Sequence, residues 1–127
     1  MPKEIHEAPS GPKPLGPYSV VTEAHGLVFV SGMVALDPAT DKPVAGGVEP
    51  QAEQVMRNIG AVLGDVGLGY GDIVKMTIFV TDIHDFAIVN DVYGRYVGAS
   101  PPARSTVEVS ALPLGVHVEI EVIASRP

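Results

Sequence analysis

The chain has 127 residues, with eight Lys and Arg against fifteen Asp and Glu, so its formal net charge is −7. This length is typical of one globular domain, and residues 1–127 are predicted to form a single domain. Its 46% share of hydrophobic residues excludes general disorder, and the absence of cysteine excludes disulfides. The negative charge opposes binding to nucleic acid or to anionic lipid.

The first residues show no targeting pattern. The segment from Met1 to Glu7 lacks the apolar stretch of a secretory signal. No apolar run approaches the ~20 residues that cross a membrane. We therefore expect a cytoplasmic location.

The first third of the chain predicts a loop and a β-hairpin. Residues 9–17 are rich in proline, which lacks a backbone donor; we expect an ordered loop, although the Pro-x-x-Pro spacing also occurs in polyproline ligands. Residues 18–23 and 27–34 are typical of two strands joined by a turn. Residues 37–47 contain prolines and paired glycines and predict a loop.

The middle of the chain predicts helix, strand and helix. Residues 49–66 carry apolar side chains at three- and four-residue steps, and Gly67 is suited to the helix C-terminus. Residues 73–81 are rich in β-branched side chains, and 85–97 return to helical spacing. The glycines from Gly67 to Gly71 follow a helix and precede a strand, which is the reverse of a dinucleotide-binding loop, so they predict a turn.

Two final strands, at residues 104–109 and 116–124, complete the order β-β-α-β-α-β-β. This order predicts an α+β fold, a two-layer sandwich with two helices on one face of a mixed sheet. The strands at 27–30 and 78–80 are apolar at every position, whereas a half-exposed strand alternates. Left open, the second face would exceed the ~300–600 Å² patch usual on monomers, so we expect other copies of the chain to cover it.

The last two strands alternate valine with polar residues. If the valines pack on the helices, then Arg104, Thr106, Glu119 and Glu121 point toward the subunit interface. A guanidinium there stays charged and needs an anion. The sequence leaves two alternatives open: a structural ion pair with an acid such as Glu119, or a bound anionic ligand.

No motif for a metal or an organic cofactor is present, and we expect neither. His6, His25, His84 and His117 are scattered without ligand spacing and are predicted to be surface or turn residues. The chain has no Walker sequence and no Gly-x-Ser-x-Gly elbow. Gly32, in or at the end of an apolar strand, indicates a β-bulge or a close approach of backbone to a ligand.

Several segments in collinear order, from about Pro14 to Ala124, resemble the Rid (YjgF) family. They are Gly16-Pro17-Tyr18-Ser19, Val30-Ser31-Gly32, Gly71-Asp72-Ile73-Val74-Lys75, Asp85-Phe86 with Asn90 and Tyr93, Pro102-Ala103-Arg104-Ser105-Thr106-Val107-Glu108-Val109, and Val118-Glu119-Ile120-Glu121. The resemblance implies a homotrimer of chorismate-mutase-like fold, with the sheets facing the three-fold axis and the sites between subunits.

The implied activity is hydrolytic deamination of reactive 2-imino and enamine acids to 2-oxo acids and ammonia, without metal or cofactor. Its substrates would be 2-aminoacrylate/2-iminopropanoate and 2-iminobutanoate. By resemblance, Arg104 holds the substrate carboxylate and Glu119 lies near the attacking water. The matching cleft residues are Tyr18, Gly32, Asn90 and Thr106.

The chain departs from the family pattern at two positions. Met33 stands where family members often have Gln, and Thr106 stands where they often have Cys. These departures leave the substrate range and the subfamily open. A trimeric, non-catalytic carboxylate-binding or regulatory protein is the alternative function, and ribonuclease or translation inhibition is disfavoured by the negative charge.

Overall fold

The computed structural model describes residues 2–127. Within this range, six strands form one sheet and two further strands form a short hairpin. In chain order the strands are β1 (Glu4–His6), β2 (Val21–Ala24), β3 (Leu27–Met33), β4 (Leu36–Asp37), β5 (Lys42–Pro43), β6 (Ile73–Val80), β7 (Ala103–Glu108) and β8 (Val118–Ser125). The large sheet has the order β1-β2-β3-β8-β6-β7, with β6 and β7 parallel and all other neighbours antiparallel.

Two α-helices, α1 (Val48–Asp65) and α2 (Phe86–Val97), pack on one face of this sheet. Their apolar stripes meet the alternate strand residues that point the same way, such as Met76 and Ile78 of β6 and Ile120 of β8. This confirms the predicted α+β fold, with one mixed sheet and two helices. We call the side covered by α1 and α2 the helix face and the opposite side the open face. Within residues 2–127, no helix is both long and apolar enough to cross a membrane.

The proline-rich N-terminal loop is ordered, as predicted, because α1 holds it. The backbone N–H and the hydroxyl of Ser10 both donate to the Asp65 carboxylate, at 2.8 and 2.7 Å. Gly11 is buried against α1, where an added Cβ would lie 2.5 Å from Cγ2 of Val62. Only glycine fits this contact without displacing the loop.

Two small features were not predicted. The strand β1 is short and polar and pairs with β2 at the edge of the sheet. The hairpin of β4 and β5 lies inside the segment predicted as loop, and it has only two residues in each strand. Segments of this length carry too few side chains to show a period.

Apolar side chains remain on the open face, as the unbroken apolar runs predicted. Ile5, Leu27, Phe29 and Val107 are exposed there. Phe79 is partly buried beside them. The helices cannot cover these side chains, because α1 and α2 lie on the other side of the sheet.

The predicted faces are correct for β8 but wrong for β7. In β8, Glu119 and Glu121 lie on the open face, in register with Phe79 and Thr77. The parallel register pairs Arg104 with Met76 and Thr106 with Ile78, and side chains paired in this way share a face. Arg104 and Thr106 therefore lie on the helix face.

The alternation of apolar and polar residues in β7 predicts the wrong faces because β7 is an edge strand. Val107 is 42% exposed on the open face, and Ser105 lies on that face as well. On the helix face, the first turns of α2 offer Arg104 a polar and aromatic environment. An edge strand with polar residues on both sides gives no pattern from which the buried side can be chosen.

Candidate active site

Arg104 is held against α2 by one hydrogen bond and two aromatic rings. Its Nη1 donates to Oδ1 of Asn90 at 2.6 Å. Its Cζ lies 4.9 Å from the ring centre of Tyr93 and 5.4 Å from that of Phe86. These three α2 residues are spaced at i, i+4 and i+7, so they share the face that α2 turns toward β7. The guanidinium is thereby fixed in position while most of its donors stay unused.

Arg104 differs from the other arginines in having no carboxylate partner among residues 2–127. Arg57 and Arg95 both pair with Glu53, and Arg126 pairs with Glu23. Across residues 2–127, none of the ion pairs within 4.0 Å involves Arg104. Of the two alternatives left open by the sequence, the ion pair with Glu119 is absent within one chain. A guanidinium with free, directed donors is suited to a carboxylate ligand.

Thr106 lies two residues beyond Arg104 on the same face of β7. Its Oγ1 is buried and has no hydrogen-bond partner among the residues described. The hydroxyl is therefore an unsatisfied polar group at the position where family members often carry Cys.

Gly32 and Glu119 form a second group, on the open face. The register between β3 and β8 shifts between Val30 and Met33, which is the β-bulge expected at Gly32. The Glu119 side chain lies directly over Gly32, where a Cβ would collide with the carboxylate. Burial raises the pKa of Glu119, and the nearby charge of Glu121 raises it further.

Tyr18 lies in the loop before β2 and belongs to neither group. Its hydroxyl oxygen accepts a hydrogen bond from the backbone N–H of Leu15 at 3.0 Å, and its side chain is exposed. The structure thus brings Arg104, Asn90 and Thr106 together, and Gly32 and Glu119 together. The two groups lie on opposite faces of one sheet.

Residues 8–126 match the family model described as Endoribonuclease L-PSP, the Rid (YjgF) family. The chain belongs to this family. It is 53% identical over 124 residues to Protein DfrA of Myxococcus xanthus, covering 96% of this chain and 94% of that protein. It is 41% identical over 122 residues to the 2-iminobutanoate/2-iminopropanoate deaminase of Bos taurus, covering 96% of this chain and 89% of that protein.

The fold agrees with solved structures of Rid-family proteins. The crystal structure of Escherichia coli TdcF with bound serine superposes with a TM-score of 0.91 and 38% identity. The alignment covers 98% of this chain and 99% of that one. The resemblance read from the sequence motifs is therefore confirmed at the level of family and fold.

The sequence did not single out Phe86 and Tyr93 as neighbours of Arg104. Both lie within residues 85–97, which the spacing predicts as a helix, and Tyr93 is buried whereas Phe86 is partly exposed. The usable signal was their spacing around Asn90, because an arginine flanked by rings needs them on one helix face. The contact with Arg104 could not be predicted, because aromatic side chains at helical spacing usually pack in a core.

His6 lies in the edge strand β1, with its side chain partly exposed. Its Nε2 is 2.7 Å from Oε1 of Glu23 and 3.8 Å from a carboxylate oxygen of Glu4. These three side chains could offer ligand atoms to a metal ion. Glu23, however, also accepts from Arg126 at both oxygens, at 2.9 and 3.1 Å. A carboxylate held in this way serves as a structural tie between strands.

The other three histidines agree with the prediction of surface or turn positions. His25 occupies the turn between β2 and β3 with a φ of 54°. His84 and His117 are exposed. None of these three belongs to a group of potential metal ligands among residues 2–127.

Proposed function

We propose that this Rid-family chain hydrolyses 2-imino acids, and the enamine acids that tautomerise to them, to 2-oxo acids and ammonia. The relatives named as deaminases support an imine deaminase activity. The substrates that we propose are 2-iminopropanoate, with its enamine 2-aminoacrylate, and 2-iminobutanoate. The observation that carries the proposal is the immobilised guanidinium of Arg104, which has no carboxylate partner in the part of the chain that the structure describes.

In the proposed reaction Arg104 binds the substrate carboxylate through two parallel hydrogen bonds. This places C2 of the imine, the carbon next to the carboxylate, at a fixed distance from the arginine. The protonated C=N carbon is already electrophilic, so no metal or organic cofactor is required to activate it.

Glu119 acts on the attacking water. As water adds its oxygen to C2, Glu119 accepts one proton from it, and then returns that proton to the substrate nitrogen. The C–N bond breaks with its electron pair going to nitrogen, which leaves as ammonia while the C2 hydroxyl becomes the carbonyl. The hydroxyl proton ends on the ammonia, so an iminium ion and water give a 2-oxo acid and NH₄⁺.

Arg104 and Glu119 of one chain cannot reach the same substrate, because they lie on opposite faces of its sheet. We therefore propose that each site combines Arg104 of one copy with Glu119 of a neighbour in a homotrimer. The exposed Leu27 and Phe29 on the open face support this assembly, because contact between copies removes apolar surface from water. A closed ring of three copies would repeat the same contact three times.

The charges argue against nuclease activity, although the family description includes it. Binding RNA requires a cluster of basic side chains that contact phosphates. Here three of the four arginines are paired with acids, and the net charge is −7. Deamination uses the one arginine that these pairs leave available.

The decisive experiment generates the unstable substrate within the assay mixture. A pyridoxal-phosphate-dependent serine dehydratase generates 2-aminoacrylate, and pyruvate formation is followed with the wild type and with Arg104→Ala. We expect the wild type to accelerate pyruvate formation, and Arg104→Ala to lose about 100-fold in kcat/KM because a charged contact is removed. The matched control is Arg57→Ala, since Arg57 is exposed on α1 and should leave the rate unchanged.

Two results would contradict the proposal. Equal acceleration by wild type and Arg104→Ala would show that Arg104 takes no part in the reaction. No acceleration by the wild type would refute deamination, and 2-oxo acid binding by calorimetry would then favour the non-catalytic carboxylate-binding function.

A further inference from the structure

Helix α1 carries two buried amide side chains, Gln51 and Asn58, on the side that faces the sheet. Gln51 is 7% exposed and Asn58 is 1% exposed, whereas the other buried residues of α1 are all apolar. They are seven residues apart and so lie on the same helix face. A buried amide costs free energy unless its hydrogen bonds are made, so the partners of these two groups show what they do.

Asn58 binds the chain that leaves β3. Its Nδ2 donates to the carbonyl oxygens of Val34 and Leu36, at 3.2 and 2.8 Å. Its Oδ1 accepts from Nε2 of Gln54 at 2.8 Å, which fixes the orientation of the amide. Both donors of Asn58 are therefore used on backbone that begins two residues after Gly32.

Gln51 binds the chain that enters β8. Its Oε1 accepts from the backbone N–H of His117 at 2.7 Å. His117 is two residues before Glu119, so this bond anchors the strand that carries the proposed base. Asn58 thus holds the backbone that follows Gly32, and Gln51 holds the backbone that precedes Glu119.

The strands need this anchor because their own ladder is interrupted there. Between β3 and β8 the regular pairing breaks from Val30 to Met33, and the bulge removes the usual hydrogen bonds that set strand spacing. At that point Glu119 lies against the bare backbone of Gly32, with no room for a Cβ. A small shift of either strand would move the Glu119 carboxylate.

We propose that Gln51 and Asn58 are positioning residues of the deaminase site, which set the spacing between Gly32 and Glu119 and thereby aim the Glu119 carboxylate. Neither amide contacts the substrate in this arrangement. The inference rests on the proposed function for its catalytic consequence, but the geometry of Glu119 can be tested without turnover.

The test uses Gln51→Met, which keeps the length of the side chain and removes the acceptor, and Asn58→Leu, which keeps the volume and removes both donors. Steady-state kinetics with 2-aminoacrylate generated in place should show kcat reduced about 10- to 100-fold, since small misplacements at a site have effects of this size. KM should change less than about twofold, because the substrate carboxylate is bound by Arg104, which does not belong to the group formed by Gly32 and Glu119. If Asn58→Leu does not fold, Gln51→Met decides the kinetic test.

The second readout is the titration of Glu119 by carboxyl carbon NMR, assigned with Glu119→Gln. When Glu119 no longer packs on Gly32, it becomes better solvated, and its pKa should fall toward that of an ordinary glutamate. The matched control is Val62→Ala, which weakens the packing of α1 without touching either strand end and should leave the pKa of Glu119 unchanged.

The outcomes separate this inference from the proposed function. A shifted Glu119 pKa in Gln51→Met, with an inactive wild type, would support the positioning role and refute deamination. An active wild type whose kcat falls no more in Gln51→Met than in Val62→Ala would overturn the positioning role. An unchanged pKa of Glu119 in Gln51→Met would overturn it as well.

Discussion

The buried hydroxyl of Thr106 is a cost to the fold that a single substitution should remove. Its Oγ1 has no hydrogen-bond partner among residues 2–127, and an unsatisfied buried group of this kind typically costs 1–3 kcal/mol. Thr106→Val replaces the hydroxyl with a methyl group of the same shape. We expect the free energy of unfolding in urea to rise by about 1 kcal/mol.

Thr106→Ser is the control for this prediction, because it keeps the hydroxyl and loses the methyl group. It should be no more stable than the wild type. A Thr106→Val protein that unfolds at lower urea concentration than the wild type would show that the hydroxyl is satisfied in solution.

The ionisation of Glu119 sets the acid side of the expected pH profile. A general base must be ionised, and burial together with Glu121 raises the pKa of Glu119 above its usual value of 4.5. Activity should therefore disappear on acidification at a higher pH than an ordinary glutamate would give. Glu121→Gln removes the neighbouring charge, so we expect the acid limb of the kcat profile to move to lower pH.

The pH profile of kcat, measured for the wild type and for Glu121→Gln, checks this prediction. Glu7→Gln removes an exposed acid from the segment after β1 and should leave the limb in place. An acid limb that is identical in wild type and Glu121→Gln would mean that Glu119 does not carry the titration.

At the scale of elements, Glu23 ties the two ends of the chain to the sheet. Its carboxylate in β2 accepts from Arg126, which follows β8, and pairs with His6 of β1. Arg126 also donates to the carbonyl oxygen of Val66 at the end of α1. One carboxylate therefore connects three strands of the sheet and, through Arg126, a helix.

This tie predicts a stability that depends on pH. Hydrogen bonds from Arg126 and His6 lower the pKa of Glu23 from 4.5 to about 2. A lowered pKa in the folded state means that the stabilisation is complete above pH 4.5 and is lost as the pH falls toward 2. Glu23→Gln should be less stable than the wild type at pH 7, and the difference should shrink over that interval.

Urea unfolding at several pH values from 7 down to 2 measures this difference directly. Glu4→Gln is the matched control, since Glu4 is exposed on the neighbouring strand and is 3.8 Å from His6. A difference between wild type and Glu23→Gln that is the same at pH 7 and pH 2 would contradict the role of the ionised Glu23.

The helices and inner strands could be predicted from the sequence because their side chains alternate with a clear period. The stripe of α1 and the β-branched run of β6 are examples, and both were predicted within a residue or two of their ends. The strand β1 and the face of β7 could not be predicted. Both lie at an edge of the sheet, where polar side chains are tolerated on either side and only the pairing register decides the face.

The residues of the candidate site are predicted from the family motifs, whereas their arrangement could not be predicted from the sequence. The family motifs pointed to Arg104 and Glu119, yet a motif does not state on which face of a sheet a residue lies. The neighbours of Arg104 on α2 and the anchors on α1 depend on how elements pack. That information is in the tertiary contacts and has no signature of its own in the spacing of residues.

At the scale of the whole molecule, the two faces of the sheet divide the candidate site into halves. The helix face carries Arg104 at one edge, and the open face carries Glu119 with exposed apolar side chains around it. Each group has its own supporting residues. Asn90 of α2 holds Arg104, and Gln51 of α1 binds the backbone just before the strand that carries Glu119. The proposed trimer would bring the two halves of different copies together.

A site shared between copies predicts complementation between two inactive variants. Arg104→Ala and Glu119→Gln each remove one half of every site when expressed alone. In a mixed trimer, a contact between an intact Arg104 of one copy and an intact Glu119 of its neighbour restores a complete site. Random mixing of equal amounts should leave about one quarter of all sites intact, and about one third of the sites in trimers that contain both variants.

The most direct measurement is therefore pyruvate formation from 2-aminoacrylate by the wild type, by each variant alone, and by the two variants co-expressed with different tags and purified through both. We predict acceleration by the wild type, almost none by either variant, and a clear recovery in the doubly tagged assembly. A doubly tagged assembly as inactive as the single variants would contradict a site shared between copies, and an inactive wild type would contradict the deaminase function itself.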